Sequence, residues 1–173
     1  MERALALLVL SFVAPSVAHA SDCRNLLTVD EVAAAVGGAA ELTNAGTRGE
    51  VGTGSVENER LEVCTWAAST WLAGVNLDVV PSLDPAAVAQ GLEVVAFPLD
   101  ERRKQHWPEE RLDFGGVHCS SLSPPKPSKA EPQITGCVGE VNGAALYVGI
   151  SSRTERPTFD LAKRLFDEAA ARL

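Results

Sequence analysis

Histidines and acidic residues are the groups in this 173-residue chain that could carry acid–base or metal chemistry. Two of the three histidines, His106 and His118, lie beyond the N-terminal segment. A zinc site needs three or four ligands at characteristic spacing, and the chain contains neither an H-E-x-x-H nor a C-x-x-C sequence. We therefore predict no metal and no cofactor, and we expect these histidines to be partly exposed or hydrogen-bonded.

Nucleophilic catalysis has little support in the residue pattern. His118 beside Cys119 suggests a cysteine nucleophile only if that thiol is reduced, and the G-x-S-x-G elbow of serine hydrolases is absent. Folding could still bring Asp100, Asp113 or Glu140 together in a cleft. We expect a non-catalytic chain, and the alternative is a hydrolase-type enzyme whose site forms only in the fold.

Three tryptophans stand out because aromatic residues make up only 5% of the chain. Trp66, Trp71 and Trp107 could seal a small core or line a groove for an apolar or sugar-like ligand. Packing in the core is the commoner use of large aromatic side chains. A groove lined by these three residues is the ligand site that the sequence suggests.

Four cysteines, Cys23, Cys64, Cys119 and Cys137, favour structural disulfides over reactive thiols. An even number is typical of a disulfide framework, and four cysteines allow three pairings. We favour Cys23 with Cys64 and Cys119 with Cys137, because the second pair would link the strands at the two ends of one long loop. Each crosslink would contribute on the order of 3 to 4 kcal/mol in the chain-entropy model.

The first twenty residues predict export. Arg3 precedes an apolar stretch of roughly ten residues, about half of what a membrane-spanning helix needs. Ala18-His19-Ala20 then forms an A-x-A cleavage pattern. We predict a secretory signal peptide over residues 1–20 that is cleaved after Ala20, and a single domain over residues 21–173. The mature chain is expected in the periplasm or outside the cell, without a membrane span.

The charge balance narrows the class of partner. The chain has 15 lysines and arginines against 23 aspartates and glutamates, a net charge of −8. Nucleic acids and anionic lipid surfaces both attract positively charged proteins. We therefore expect no nucleic acid as a partner, and an unidentified small ligand or an envelope protein instead.

Hydrophobic periodicity predicts an α+β fold, a mostly antiparallel sheet with helices packed on it. A helix is predicted over Val29–Val36, after a capping box formed by Thr28 and Glu31. A second, short helix should run from Pro85 to Gln90 and stop at Gly91, and a third should follow Pro157.

Alternation predicts the strands, which are Leu61–Trp66, Val75–Val79, Val117–Leu122, Ile134–Val141 and Ala144–Ser151. Asn142-Gly143 between the last two is typical of a type I′ hairpin turn. Surface loops are predicted over Thr43–Asn58, which is rich in glycine, and over Ser123–Pro132, which is rich in proline.

The N-terminal motifs are similar to those of a known group of proteins. Cys23-Arg24-Asn25-Leu26-Leu27-Thr28, with Cys64-Thr65-Trp66 further on, resembles the opening of an uncharacterised family of secreted bacterial lipoproteins. The resemblance implies a mixed sheet with packed helices, similar to a PsbP-like sandwich, and supports the Cys23–Cys64 pair. It implies no activity. The chain departs from the family by placing Asp22 where lipid attachment needs a small neutral residue, and by its second cysteine pair.

Three functions therefore remain open. The first, which we expect, is an exported binding module for a small ligand or an envelope protein; the others are a hydrolase and an inhibitor-like domain that acts through a surface loop. A deep pocket holding His106 or His118 with carboxylates would favour the enzyme. An exposed apolar patch would favour the protein-binding domain, and an open tryptophan-lined groove would favour the ligand binder.

Overall fold

The computed structural model describes residues 22–48, 61–69, 73–82, 84–96, 107–124, 132–154 and 156–173. The described residues form four helices, which are α1 (Cys23–Leu26), α2 (Val29–Val36), α3 (Pro85–Ala96) and α4 (Phe159–Ala170). They also form seven strands, which are β1 (Ala40–Arg48), β2 (Leu61–Ala68), β3 (Ala73–Pro81), β4 (Glu109–Asp113), β5 (Val117–Leu122), β6 (Gln133–Val141) and β7 (Ala144–Ser152). The predicted signal peptide and its cleavage site lie outside the described residues.

The seven strands form one antiparallel sheet in the order β1-β2-β3-β7-β6-β5-β4. The predicted α+β class and its mostly antiparallel sheet are thereby confirmed. Most neighbours in the sheet are also neighbours in sequence, and the exception is β7, which pairs with β3 from Gly74 opposite Ser151 to Pro81 opposite Ala144. This long-range pairing places the last strand of the chain at the centre of the sheet.

Alternation along the strands gives the sheet two covered faces. Val75, Leu77 and Val79 point to the face that carries α1, α2 and α4, where the larger core lies. Val80 and Tyr147 point to the opposite face, where α3 packs on β3, β6 and β7 over a smaller core. We call these the disulfide face and the α3 face.

The capping box of α2 and the turn between β6 and β7 form at the predicted residues. Thr28 Oγ1 accepts a hydrogen bond from the Glu31 amide at 3.3 Å, and the Glu31 carboxylate accepts one from the Thr28 amide at 2.8 Å, which completes the capping box of α2. Asn142 and Gly143 both have positive φ angles, 47° and 80°, so the turn between β6 and β7 is of the predicted type.

Two local predictions were wrong, and one strand was not predicted. The predicted loop at Thr43–Asn58 begins inside β1, which pairs with β2 through a bulge between Leu42 and Asn44; residues 49–60 lie outside the described part. Helix α3 does not stop at Gly91 but continues to Ala96, with Val88 and Leu92 buried against the sheet. The charged segment Glu109–Asp113, for which the sequence predicted no element, is a strand. In each case pairing or packing with a distant element outweighs the local propensity.

Both disulfides join the predicted cysteines. Cys23 in α1 is bonded to Cys64 in β2, with their Cα atoms 5.9 Å apart. Cys119 and Cys137 lie directly opposite each other on β5 and β6, with their Cα atoms 4.0 Å apart. All four side chains are buried. Two buried disulfides fit an oxidising compartment. No helix in the described part of the chain is both long and apolar enough to cross a membrane.

Candidate functional site

The imidazole of His118 is held by an acidic residue on the neighbouring strand. Asp113 lies directly opposite His118 in the β4–β5 pairing, and its Oδ2 atom is 3.1 Å from His118 Nδ1. Asp113 Oδ1 accepts a hydrogen bond from the amide of Gly116 in the turn between the strands. Both side chains are more than half exposed, at 57% and 56%. The hairpin turn therefore positions the carboxylate, and the carboxylate orients the ring.

A small pocket of about 140 Å³ opens beside His118 on the α3 face. Its walls come from α3 and from the neighbouring ends of β5 and β6, and its lining residues are Ala86, Ala89, Gln90, Gly116, His118, Val138, Gly139 and Glu140. Two of the three acidic residues singled out in the sequence, Asp113 and Glu140, thus lie near His118. Asp100 and the other candidate histidine, His106, lie outside the described residues.

Metal and thiol chemistry find no site in the described part of the chain. None of its histidines, cysteines, aspartates and glutamates form a group of three that could hold a metal ion. A Cys119 nucleophile would need a free thiol, and Cys119 is bonded to Cys137 as predicted. Adjacent residues of a strand also point to opposite faces, so the Cys119 sulfur lies on the disulfide face and His118 on the α3 face.

The two tryptophans that the structure describes are core residues on opposite faces of the sheet. Trp66 is 1% exposed in the core under α1, α2 and α4, whereas Trp107 is 6% exposed in the core under α3. The structure therefore does not bring them together in one groove. Trp71, the third residue of the predicted groove, lies outside the described residues.

The hairpin formed by β4 and β5 exposes apolar side chains at an edge of the sheet. Only three large apolar residues of the described chain are exposed, and two of them, Leu112 at 47% and Phe114 at 38%, lie on this hairpin. Both flank the disulfide face, where the Lys163 ammonium lies 5.7 Å from the centre of the Phe114 ring. β4 is the last strand of the sheet, so none of the described strands pairs with its outer edge.

A polar network fixes this hairpin to the segment that precedes α4. Arg156 forms an ion pair with Glu110 of β4 at 2.9 Å and donates to Ser121 Oγ of β5 at 3.3 Å. The Thr135 hydroxyl donates its one hydrogen to the carbonyl of Pro157. In its 2.8 Å contact with the Ser121 hydroxyl it must therefore accept, with Ser121 as the donor. An open depression of about 380 Å³ lies beside this network and includes Leu112 and Phe159 in its lining.

At the opposite edge of the sheet, charged groups serve the fold. The Arg172 guanidinium forms an ion pair with the Glu31 carboxylate and donates to the carbonyl of Leu26 at 3.1 Å. The hydrogen bond from Arg172 lowers the pKa of Glu31 to about 2. Arg172 thus connects the end of α4 to the capping box of α2.

Tyr147 is the titratable group most deeply buried on the α3 face. Its pKa lies well above the ordinary value, first because burial desolvates the phenolate and second because the charge of Asp78 disfavours it. The phenol ring lies over Gly149, where a Cβ atom would come within 2.0 Å of the tyrosine oxygen. Tyr147 is therefore a neutral core residue that needs a glycine two positions further on.

Comparison with known proteins adds no relative to this description. No protein-family model matches the chain, and searches of curated proteins and of solved structures found no match. The function must therefore be argued from the surface of the molecule, and the pocket beside His118 and the β4–β5 hairpin are the two features available for it.

Proposed function

We propose that this chain is an exported, non-catalytic protein-binding module that contacts its partner through the β4–β5 hairpin. One observation carries the proposal. Of the three exposed large apolar residues in the described chain, Leu112 and Phe114 lie together on a hairpin whose outer edge pairs with none of the described strands. Exposed apolar side chains that cluster at one place mark interaction surfaces more often than isolated ones do.

The magnitude of the effect supports a role for these two residues in binding. Burying a fully exposed leucine or phenylalanine side chain contributes about 1.5 to 3 kcal/mol, and Leu112 and Phe114, at 47% and 38% exposure, can supply somewhat less than half of that each. An open strand edge can add backbone hydrogen bonds to an extended segment of a partner. The Cys119–Cys137 disulfide and the Arg156 network behind the hairpin hold it in place. A preorganised surface binds at a lower entropic cost than a mobile one.

Export is supported by two kinds of observation. The two buried disulfides fit an oxidising compartment, and the sequence of residues 1–20 has the pattern of a secretory signal peptide. The periplasm or the extracellular space is therefore the proposed location. If the partner is an enzyme, the hairpin would act in the inhibitor-like manner that is the alternative form of this proposal.

A hydrolase-type enzyme is the second candidate, because Asp113 holds the His118 ring in the way that an acid orients a catalytic base. Two features count against it. The pocket of about 140 Å³ is well below the roughly 300 Å³ of the smallest usual ligand clefts. Its lining residues include no serine, threonine or cysteine to act as nucleophile.

Site-specific photo-crosslinking in the exporting cells tests the proposal. A photo-reactive amino acid replaces Phe114 in one version of the protein and Val29 in the other. Val29 is a matched control, because it is the third exposed large apolar residue and lies on α2, at 40% exposure. We expect a discrete crosslinked product from position 114 and none from position 29. Equal labelling from both positions, or none from position 114, would contradict the proposal.

A further inference from the structure

The pocket beside His118 has apolar walls and a polar rim. Ala86 and Ala89 lie on one side of α3, and Val138 faces them from β6. Gln90 and the side chains of His118 and Glu140 provide the polar groups. Such a combination suits a side chain with an aliphatic stem and a polar end, because the stem packs on apolar surface while the end group reaches the rim.

The charge at the rim favours a cation. Glu140 is exposed and has no ion pair within the described residues. Of the other carboxylates of the hairpin region, Glu109 pairs with Arg111, Glu110 with Arg156, and Asp113 with the imidazole of His118. The net charge of −8 also attracts basic surfaces over a longer range.

The size and position of the pocket indicate where the cation comes from. A volume of about 140 Å³ accepts one side chain more readily than a metabolite, since ligand clefts usually exceed roughly 300 Å³. Gly116 lines the pocket and belongs to the same turn as Phe114. A protein bound to Phe114 would therefore have its own side chains within reach of the pocket.

We infer that this pocket receives a lysine or arginine side chain of the bound protein, with Glu140 as the acceptor of its charge. This inference rests on the proposed function, because it assigns the pocket to the same partner that contacts the hairpin. It identifies the partner by its chemistry as a protein with a basic residue beside an apolar contact.

Amide NMR of the purified protein with both disulfides formed tests the pocket directly. The probes are n-butylammonium and n-butylguanidinium, which imitate the two side chains, and the controls are n-butanol and butyrate. We expect the two cations to shift the amide signals of Gln90, Gly116, His118 and Glu140 in a saturable manner. The neutral alcohol and the anion should leave these signals in place. Equal shifts with n-butanol, or none with either cation, would overturn the inference.

Variants then assign the binding to the named residues. E140Q should weaken the affinity for n-butylammonium by about three- to fivefold, as expected for the loss of a partly exposed ion pair. A86L should block the pocket with an apolar side chain at an exposed helical position and abolish the shifts. D30N, which neutralises an exposed carboxylate on α2, should change nothing. The amide spectrum of each variant also reports whether it is folded.

Crosslinking from position 114 separates the inference from the proposed function. If the partner inserts a basic side chain, E140Q should lower the yield of the crosslinked product severalfold. An undiminished yield in E140Q would overturn the inference and leave the hairpin as the binding surface. If n-butylammonium binds but position 114 gives no crosslink, the proposed function fails, because the hairpin then contacts no partner. The inference fails with it, because the pocket then binds free amines and not a side chain of a bound protein.

Discussion

The sheet ends in two edge strands with different surroundings. β1 lies under α2 and beside β2, which carries Cys64 of the first disulfide, and the Arg172–Glu31 ion pair joins α2 to α4. On β4, Leu112 is exposed, and none of the described strands pairs with the outer edge of β4. Both sides of the sheet therefore have a disulfide and an ion pair, but the β4 side also leaves apolar surface in contact with solvent.

This difference indicates how a small domain separates stability from binding. Groups that stabilise the fold are buried or paired, and a binding surface must keep groups unpaired until the partner arrives. If the comparison is correct, changes near β1 and in the centre of the sheet should lower stability, and changes to the exposed side chains of the β4–β5 hairpin should affect partner contact alone. Four predictions test this, in order of the expected loss of stability.

Removal of the disulfide near β1 should have the largest effect. The double variant C23A/C64A opens a crosslink between residues 41 positions apart, which in the chain-entropy model costs about 4 kcal/mol. Urea denaturation of the variant and the parent measures the difference in the free energy of unfolding. An unchanged denaturation midpoint would show that this disulfide does not stabilise the fold.

Adding a methyl group to Gly149, at the centre of the sheet, should cause the next largest loss of stability. G149A places a Cβ atom within 2.0 Å of the Tyr147 oxygen, and such overpacking costs about 2 to 3 kcal/mol. G74A is the matched control, because its new Cβ atom meets its nearest neighbours at an ordinary 3.4 Å. Thermal or urea unfolding should rank G149A well below G74A, and equal losses would contradict the close packing of Tyr147 on Gly149.

The Arg172–Glu31 ion pair should make stability depend on pH. Because the pKa of Glu31 is about 2 in the folded chain and 4.5 as its ordinary value, its contribution is present above pH 4.5 and is lost as the pH falls towards 2. We expect R172Q to lower the urea midpoint at pH 7 and to converge with the parent near pH 2. A constant difference over this range would show that the ion pair with Glu31 is not the cause. D30N is the control, because it neutralises the carboxylate next to Glu31 on α2.

The smallest loss of stability is expected on the hairpin. F114S removes an exposed side chain, so the free energy of unfolding should change by less than about 0.5 kcal/mol. The same variant should lose the crosslink to the partner from a photo-reactive residue placed at position 112, whereas V29S should keep it. A marked loss of stability in F114S would show that the hairpin belongs to the core of the fold, and the comparison of the two edges would fail.

Local chemistry explains which elements were predictable. The capping box of Thr28 and Glu31 and the turn at Asn142-Gly143 involve residues close in sequence, so their types specify the geometry directly. The cysteine pairs were predictable because the compartment and the even count favour crosslinks. β4 was missed because its five residues carry four charged side chains and no alternating apolar pattern.

The candidate site was only partly predictable, because it depends on contacts between residues that are far apart in the sequence. Asp113, Glu140 and His118 could be chosen by residue type, but their approach depends on the pairing of β4 with β5 and of β5 with β6. Leu112 and Phe114 carried no signal, because a sequence does not tell whether an apolar residue is covered. Trp66 and Trp107 share a residue type and pack into cores on opposite faces.

The sequence by itself determined the α+β class, the first turn of α2, the hairpin turn and the presence of two crosslinks. These features depend on backbone preferences and on contacts between near neighbours. Only the tertiary structure decided the position of β7 beside β3, the two covered faces, the place of β4 at the end of the sheet and the pocket beside His118. Those features depend on which distant segments bury each other, and burial is a property of the whole packed chain.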